Sequence, residues 1–109
     1  MDNEFVKAWN ILAARAAETA RAKGWTKGND GEAIALVHAE LSEMLEWVRR
    51  GNPMSDHIPD FSGAEEEAAD VVIRLMHMAA LRDWRVAEAV IAKLVFNKAR
   101  EFKHGGKLF

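Results

Sequence analysis

The sequence predicts an all-α protein, a bundle of about four helices completed by dimer or tetramer assembly. Apolar residues recur at helical spacing in four stretches. No stretch alternates β-branched with polar residues as a strand does. The only two prolines, Pro53 and Pro59, fall in one loop. At 109 residues, half of them apolar, the chain has room for one ordered domain spanning 1–109.

The first helix is expected from about Asn3 to Lys23. Phe5, Trp9, Leu12, Ala13, Ala16 and Ala20 form its apolar stripe. Lys23-Gly24 stops it, with a cation in the last turn and then a residue free to adopt positive φ. The second runs from about Asp30 to Arg50. Asn29 followed by Glu32 reads as a capping box, and Ile34, Val37, Leu41, Met44, Leu45 and Val48 read as its core stripe. Gly51 ends it, and a loop carries the chain to about Phe61.

The third helix is expected from about Gly63 to Trp84, opened by a second capping box, Ser62 with Glu65. Its body, Ala68 to Leu81, is apolar on nearly every face. Such a helix is buried all round, which in a chain this short requires neighbouring subunits. The fourth runs from about Arg85 to Phe102 with Ala87, Val90, Ile91 and Leu94 inward. A basic, glycine-containing tail follows from about 103 to 109.

Composition narrows the function. A net charge of -2 argues against a general binder of polymeric nucleic acid. With no cysteine there are no disulfides and no thiolate metal sites. No apolar run is long enough to span a membrane, and Met1-Asp2-Asn3-Glu4 lacks a signal-peptide pattern, so a soluble, cytoplasmic protein is expected. Charge is segregated. Glu40 to Asp70 holds nine acids against Arg49 and Arg50, whereas Lys93 onward holds five basic residues against Glu101.

The chemistry-bearing pattern is a pair of pairs. Glu40 and Glu43 are three apart on the second helix, and Glu67 and Asp70 are three apart on the third. Residues three apart stand on one helix face, so each pair can aim two carboxylates at one spot. Glu40 and Glu43 fall on the flank of the apolar stripe, in a strip shared with Leu36 and Trp47. Four clustered carboxylates repel and raise each other's pKa unless a cation intervenes. Oxygen-only ligands favour magnesium, calcium or manganese. Such pairs also occur on solvated helix faces, but Asp70 opens the most apolar stretch, where an unpartnered acid is costly. Glu65 and Glu66 are assigned to the helix start alone, through the capping box and the dipole. A di-iron bundle would need two Glu-x-x-His motifs, and the chain has only Glu101-x-x-His104.

These residues resemble a known family. Ala35-Leu36-Val37-His38-Ala39-Glu40-Leu41-Ser42-Glu43-Met44-Leu45-Glu46 is similar to the first acidic helix of MazG-like nucleotide pyrophosphohydrolases. Glu65-Glu66-Glu67-Ala68-Ala69-Asp70-Val71-Val72-Ile73-Arg74-Leu75 is similar to their Glu-x-x-Asp helix. Lys93 to Arg100 followed by Lys103-His104-Gly105-Gly106-Lys107 is similar to their basic C-terminal end. Glu101-Phe102 departs from the proline and aromatic that many relatives carry there. The resemblance implies a helical dimer or tetramer with sites built partly from neighbouring subunits. It implies magnesium, with manganese as a substitute, held by Glu40, Glu43, Glu67 and Asp70. It implies cleavage of (deoxy)nucleoside triphosphates to a monophosphate and pyrophosphate, as in nucleotide-pool house-cleaning.

Cations for the phosphates are expected on the fourth helix, where Lys93, Asn97, Arg100 and position 104 share a face at i, i+4, i+7 and i+11, with Lys103 beside them. Trp25, after a helix-ending glycine, and Trp47, on the acidic strip, are candidates for contacting the base. His38 reads as a packing histidine, and His77 shares a strip with Asp70 and Arg74. The alternatives are a phosphoribosyl-nucleotide pyrophosphohydrolase and a non-enzymatic helical dimerisation module.

Overall fold

Two of the helix starts carry a side-chain cap that sets them. The computed structural model describes residues 2–25, 28–100 and 107–109. It contains α1 (Asp2–Ala22), α2 (Asp30–Arg49), α3 (Gly63–Arg82) and α4 (Val86–Lys98). Among the described residues there is no strand, only an isolated bridge between Met54 and Ser62, and no helix is long and apolar enough to cross a membrane. The Ser62–Glu65 capping box closes both ways, and the Glu32 N–H donates to Asn29 Oδ1 at 2.7 Å. After α1, Gly24 takes φ +84°, Trp25 N–H reaches Ala20 O and Gly24 N–H reaches Arg21 O. This paired closure is the Schellman motif, and it delivers Trp25 to the side of the bundle.

α2 and α3 form an antiparallel hairpin. Arg82 Nε donates to Asp30 Oδ1 at 2.6 Å at one end, and Arg74 Nε to Glu40 Oε1 at 2.9 Å in the middle. At the other end the Trp47 indole occupies the space a side chain at Gly63 would need. α3 is the central helix, packed by α2 on one side and by α1 on another, while α4 packs on α1. Alanines Ala13 and Ala20 are the buried residues of α1, and small side chains let its backbone come close to α3.

Of the stripe expected to form the core of α2, only Val37 and Met44 are covered. Ala33, Val37, Glu40, Met44 and Trp47 are the partly covered positions, while Ile34, Leu41, Leu45 and Val48 are open, Leu45 at 59 % exposure. The face of α2 toward α3 therefore includes Glu40 and Trp47, and Ile34, Leu41, Leu45 and Val48 lie outside it. Likewise Phe5 and Leu12 of α1 are open, and on α4 Ala87 is buried but Val90 and Leu94 are not, Leu94 at 63 % exposure. α3 is covered more fully, yet Val72 and Ile73 remain open. No large side chain among the described residues is fully buried.

Two helix ends also differ from expectation. α3 stops at Arg82 because Asp83 turns left-handed, φ 56°. α4 stops at Lys98, where Ala99 N–H bonds Phe96 O and Arg100 N–H bonds Asn97 O, a tightened last turn. Arg100 therefore lies two residues beyond the end of the helix.

Candidate metal centre

Because the acidic strip of α2 lies against α3, acids from both helices meet. One oxygen each from Glu40, Glu67 and Asp70 lie within 4.8 Å of one another. Glu67 is 7 % exposed and the Glu40 side chain 13 % exposed. Buried carboxylates need compensation, and the chain supplies little. Arg74 holds Glu40 through the bond between the helices. Burial, with hydrogen bonds that protonated Glu67 donates to the Glu40 and Glu43 carboxylates, pushes Glu67 up to about 8. Burial also raises Asp70, helped by Glu40, while Arg74 opposes the shift. Glu67 Oε2 has no hydrogen-bond partner. The donor set is oxygen only, it is overcharged, and one buried oxygen is orphaned. A hard divalent cation fits all three features, so the triad can hold a metal ion.

The fourth expected ligand, Glu43, stands next to this triad and not within it. It hydrogen-bonds Glu67 and adds to its pKa rise, but the residue itself is exposed.

The raised Glu67 sets a pH dependence. The charged groups around it are Glu40 and Glu43 on α2, and Asp70 and Arg74 on α3. Its ordinary value is 4.5, and in the folded chain it is about 8. Below the lower value both folded and unfolded chains are protonated, and stability is complete. Between the two values the unfolded chain ionises first, so stability falls as pH rises, levelling off above the folded value. In chelator the wild-type thermal midpoint should fall across this window relative to Glu67→Gln, and magnesium should flatten the fall. Parallel pH profiles for the two proteins would contradict it.

An open cavity of about 880 Å³ adjoins the triad, with Glu40, Asp70, Arg74 and His77 on the wall formed by α2 and α3, and α1 on the other. Trp25 closes part of it, with the Arg74 guanidinium 5.9 Å from its ring centre. Burial, then Arg82 and Arg74, lower the pKa of His77. Trp25 is thus placed to meet a planar ligand. Trp47 is engaged in packing against Gly63, with Arg50 5.3 Å from its ring.

The expected phosphate residues are elsewhere. Lys93 and Asn97 line a shallow hollow on α4 itself, and Lys93 and Arg100 both sit over the Phe96 ring. Among the described residues, no ion pair or hydrogen bond joins them to the triad. Lys103 and position 104 lie outside the described residues.

Glu66 does more than favour a helix start. Its Oε1 accepts a short hydrogen bond from buried Ser55 Oγ, and its Oε2 accepts from His57 Nδ1 at 2.7 Å. The hydrogen bonds from Ser55 and His57 lower Glu66, and the bond to Glu66 raises His57. Ser55 Oγ in turn accepts from the His57 and Ile58 N–H groups, and Asn52 Oδ1 accepts from Ala64 N–H. The loop after α2 is thereby tied to the first turn of α3, one residue before Glu67. Nothing in the spacing of Ser55, His57 and Glu66 announces this tether. Compared with known families, curated proteins and solved structures, the chain matches none.

Proposed function

We propose that this chain is a magnesium-dependent nucleoside triphosphate pyrophosphohydrolase that releases a nucleoside monophosphate and pyrophosphate and works as a dimer or tetramer. The observation that carries the reading is the meeting of Glu40, Glu67 and Asp70 from two helices, with Glu40 and Asp70 lining a cavity of nucleotide size. Bound there, a divalent cation would polarise phosphoryl oxygens and lower the pKa of water. The residues of the chain divide the remaining work. Glu40, Glu67 and Asp70 would hold the cation. Glu43, exposed and beside the triad, would orient the attacking water or take its proton. Trp25 offers the base a stacking surface, and the His77 imidazole would bond at its edge.

The deciding experiment is hydrolysis of a panel of nucleoside triphosphates with product identification. Monophosphate and pyrophosphate are expected, at a rate that depends on magnesium. Orthophosphate as the first product would reject the reading.

The outward apolar stripe motivates the assembly. Ile34, Leu41, Leu45 and Val48 are open in one chain, and apolar patches of this kind mark interaction surfaces. Leu45→Glu leaves the α2–α3 contact strip untouched. It should convert the protein from a dimer or larger to monomer by light scattering at micromolar concentration. A wild-type monomer, or a variant of unchanged mass, would contradict this. The same stripe is what a non-enzymatic dimerisation module would show, and magnesium-dependent turnover separates the two.

A further inference from the structure

The cavity beside the acids has a second charged wall. Arg15, Thr19 and Lys23 fall at i, i+4 and i+8 on α1 or its cap, and all three line the cavity. Residues four apart share a helix face, so they form one row, about 12 Å long at about 1.5 Å per residue. Among the described residues, neither Arg15 nor Lys23 forms a salt bridge, although Glu40 and Asp70 stand on the other wall. Arg74 differs, because its guanidinium is bound to Glu40. Between the walls the lining is apolar, with Val72, Ile73 and Met76, and Trp25 stands just past Lys23.

This arrangement separates charge inside one cavity. The acid wall carries Glu40 and Asp70, which meet the buried Glu67 behind it, and the α1 wall has two cations without an acid. A simple anion is drawn to α1 and repelled by the carboxylates. A simple cation does the reverse. A polyphosphate carrying a divalent cation satisfies both walls, and an attached aromatic group would lie on the apolar floor near Trp25. Arginine can bind phosphate oxygens in pairs, lysine acts as a point charge, and the threonine hydroxyl adds a neutral donor.

We propose that Arg15, Thr19 and Lys23 form the phosphate-binding wall of this cavity, receiving the polyphosphate chain of a nucleotide; the assignment rests on the nucleotide-hydrolase reading above. It places phosphate recognition on α1, in the same chain as the acids, and not on the α4 stripe.

Inorganic tripolyphosphate, titrated by calorimetry into the intact protein with magnesium present, is the probe, since anion binding is read without turnover. Arg15→Ala/Lys23→Ala should bind it at least about tenfold more weakly and show a correspondingly raised KM for a nucleoside triphosphate. Alanine is the best helix former, so circular dichroism and thermal midpoint should stay at wild-type values. Lys7→Ala/Arg21→Ala removes the same charge from the same helix outside the cavity and should bind as wild type. Equal affinity in the first variant and wild type, or equal loss in both variants, would overturn the proposal. Failure of the two ideas is distinguishable. Tripolyphosphate bound through Arg15 and Lys23 without nucleotide turnover rejects the hydrolase and keeps the wall. Turnover with an unchanged KM in Arg15→Ala/Lys23→Ala rejects the wall and keeps the hydrolase.

Discussion

Glu67→Gln is expected to remove most turnover while making the metal-free chain more stable above neutral pH. Glu67 is the most buried acid of the triad and the one whose pKa is pushed to about 8. Near neutral pH it carries a proton, so in the metal-free chain it already acts as a hydrogen-bond donor toward Glu40 and Glu43. The glutamine amide keeps that donor and the shape. It cannot become an anion, so it removes both the ionisation cost and the charge a divalent cation would bind. Loss of one electrostatic contributor costs on the order of a hundredfold in turnover. Manganese affinity, measured by calorimetry, should fall with it, and the thermal midpoint in chelator at about pH 8 should rise. Glu43→Gln should cost less in metal affinity, because Glu43 stands outside the triad. A Glu67→Gln variant with wild-type rate and manganese affinity would remove the triad from the proposed chemistry.

The parts of the structure that the sequence announces are those whose causes are local. The Ser62–Glu65 box, the Asn29 cap and the Lys23-Gly24 stop each involve residues a few positions apart, and each forms. The acid pairs were legible for the same reason, since three-residue spacing fixes a shared face. Which face of α2 meets α3 was not legible. Ile34, Leu41, Leu45 and Val48 make the more apolar stripe and so read as core, yet they are open, and Glu40 lies inside the contact. Periodicity shows that a helix has an apolar face, but not whether its own chain or another covers it. The bond from Arg74 to Glu40 spans 34 residues and that from Ser55 to Glu66 spans 11, so neither leaves a mark in any local window. At α4 the basic stripe assumed that the helix continued through Arg100, whereas it ends at Lys98 in a tightened turn.

Gly63→Ala should destabilise the fold even though propensity alone argues the reverse. Gly63 opens α3 with helical geometry, and alanine is favoured over glycine in a helix by up to about 1 kcal/mol. The obstacle is Trp47. A Cβ built at Gly63 would sit inside the indole, in contact with ring atoms on the fused edge and not with the tip of a flexible chain. The ring has little room to withdraw. Trp47 is partly covered on the α3-facing strip, the carbonyl of the same residue accepts from Asn52 N–H at 2.7 Å, and Gly63 N–H donates to Pro53 O at 2.9 Å. Either α2 and α3 must part at this end or the loop between them must shift, and overpacking of this kind costs about 1–3 kcal/mol or more. The consequence reaches the acids, because Glu67 lies one turn beyond Gly63 and its distance from Glu40 is set by the same helix pair. The thermal midpoint should therefore drop, and manganese affinity with it. Trp47→Leu in the Gly63→Ala background should recover part of the loss, since it removes the ring the methyl strikes, and a double-mutant cycle reads the coupling directly. Additive effects of the two substitutions, or a Gly63→Ala protein as stable as wild type, would show that the Trp47–Gly63 contact does not set the spacing of α2 and α3.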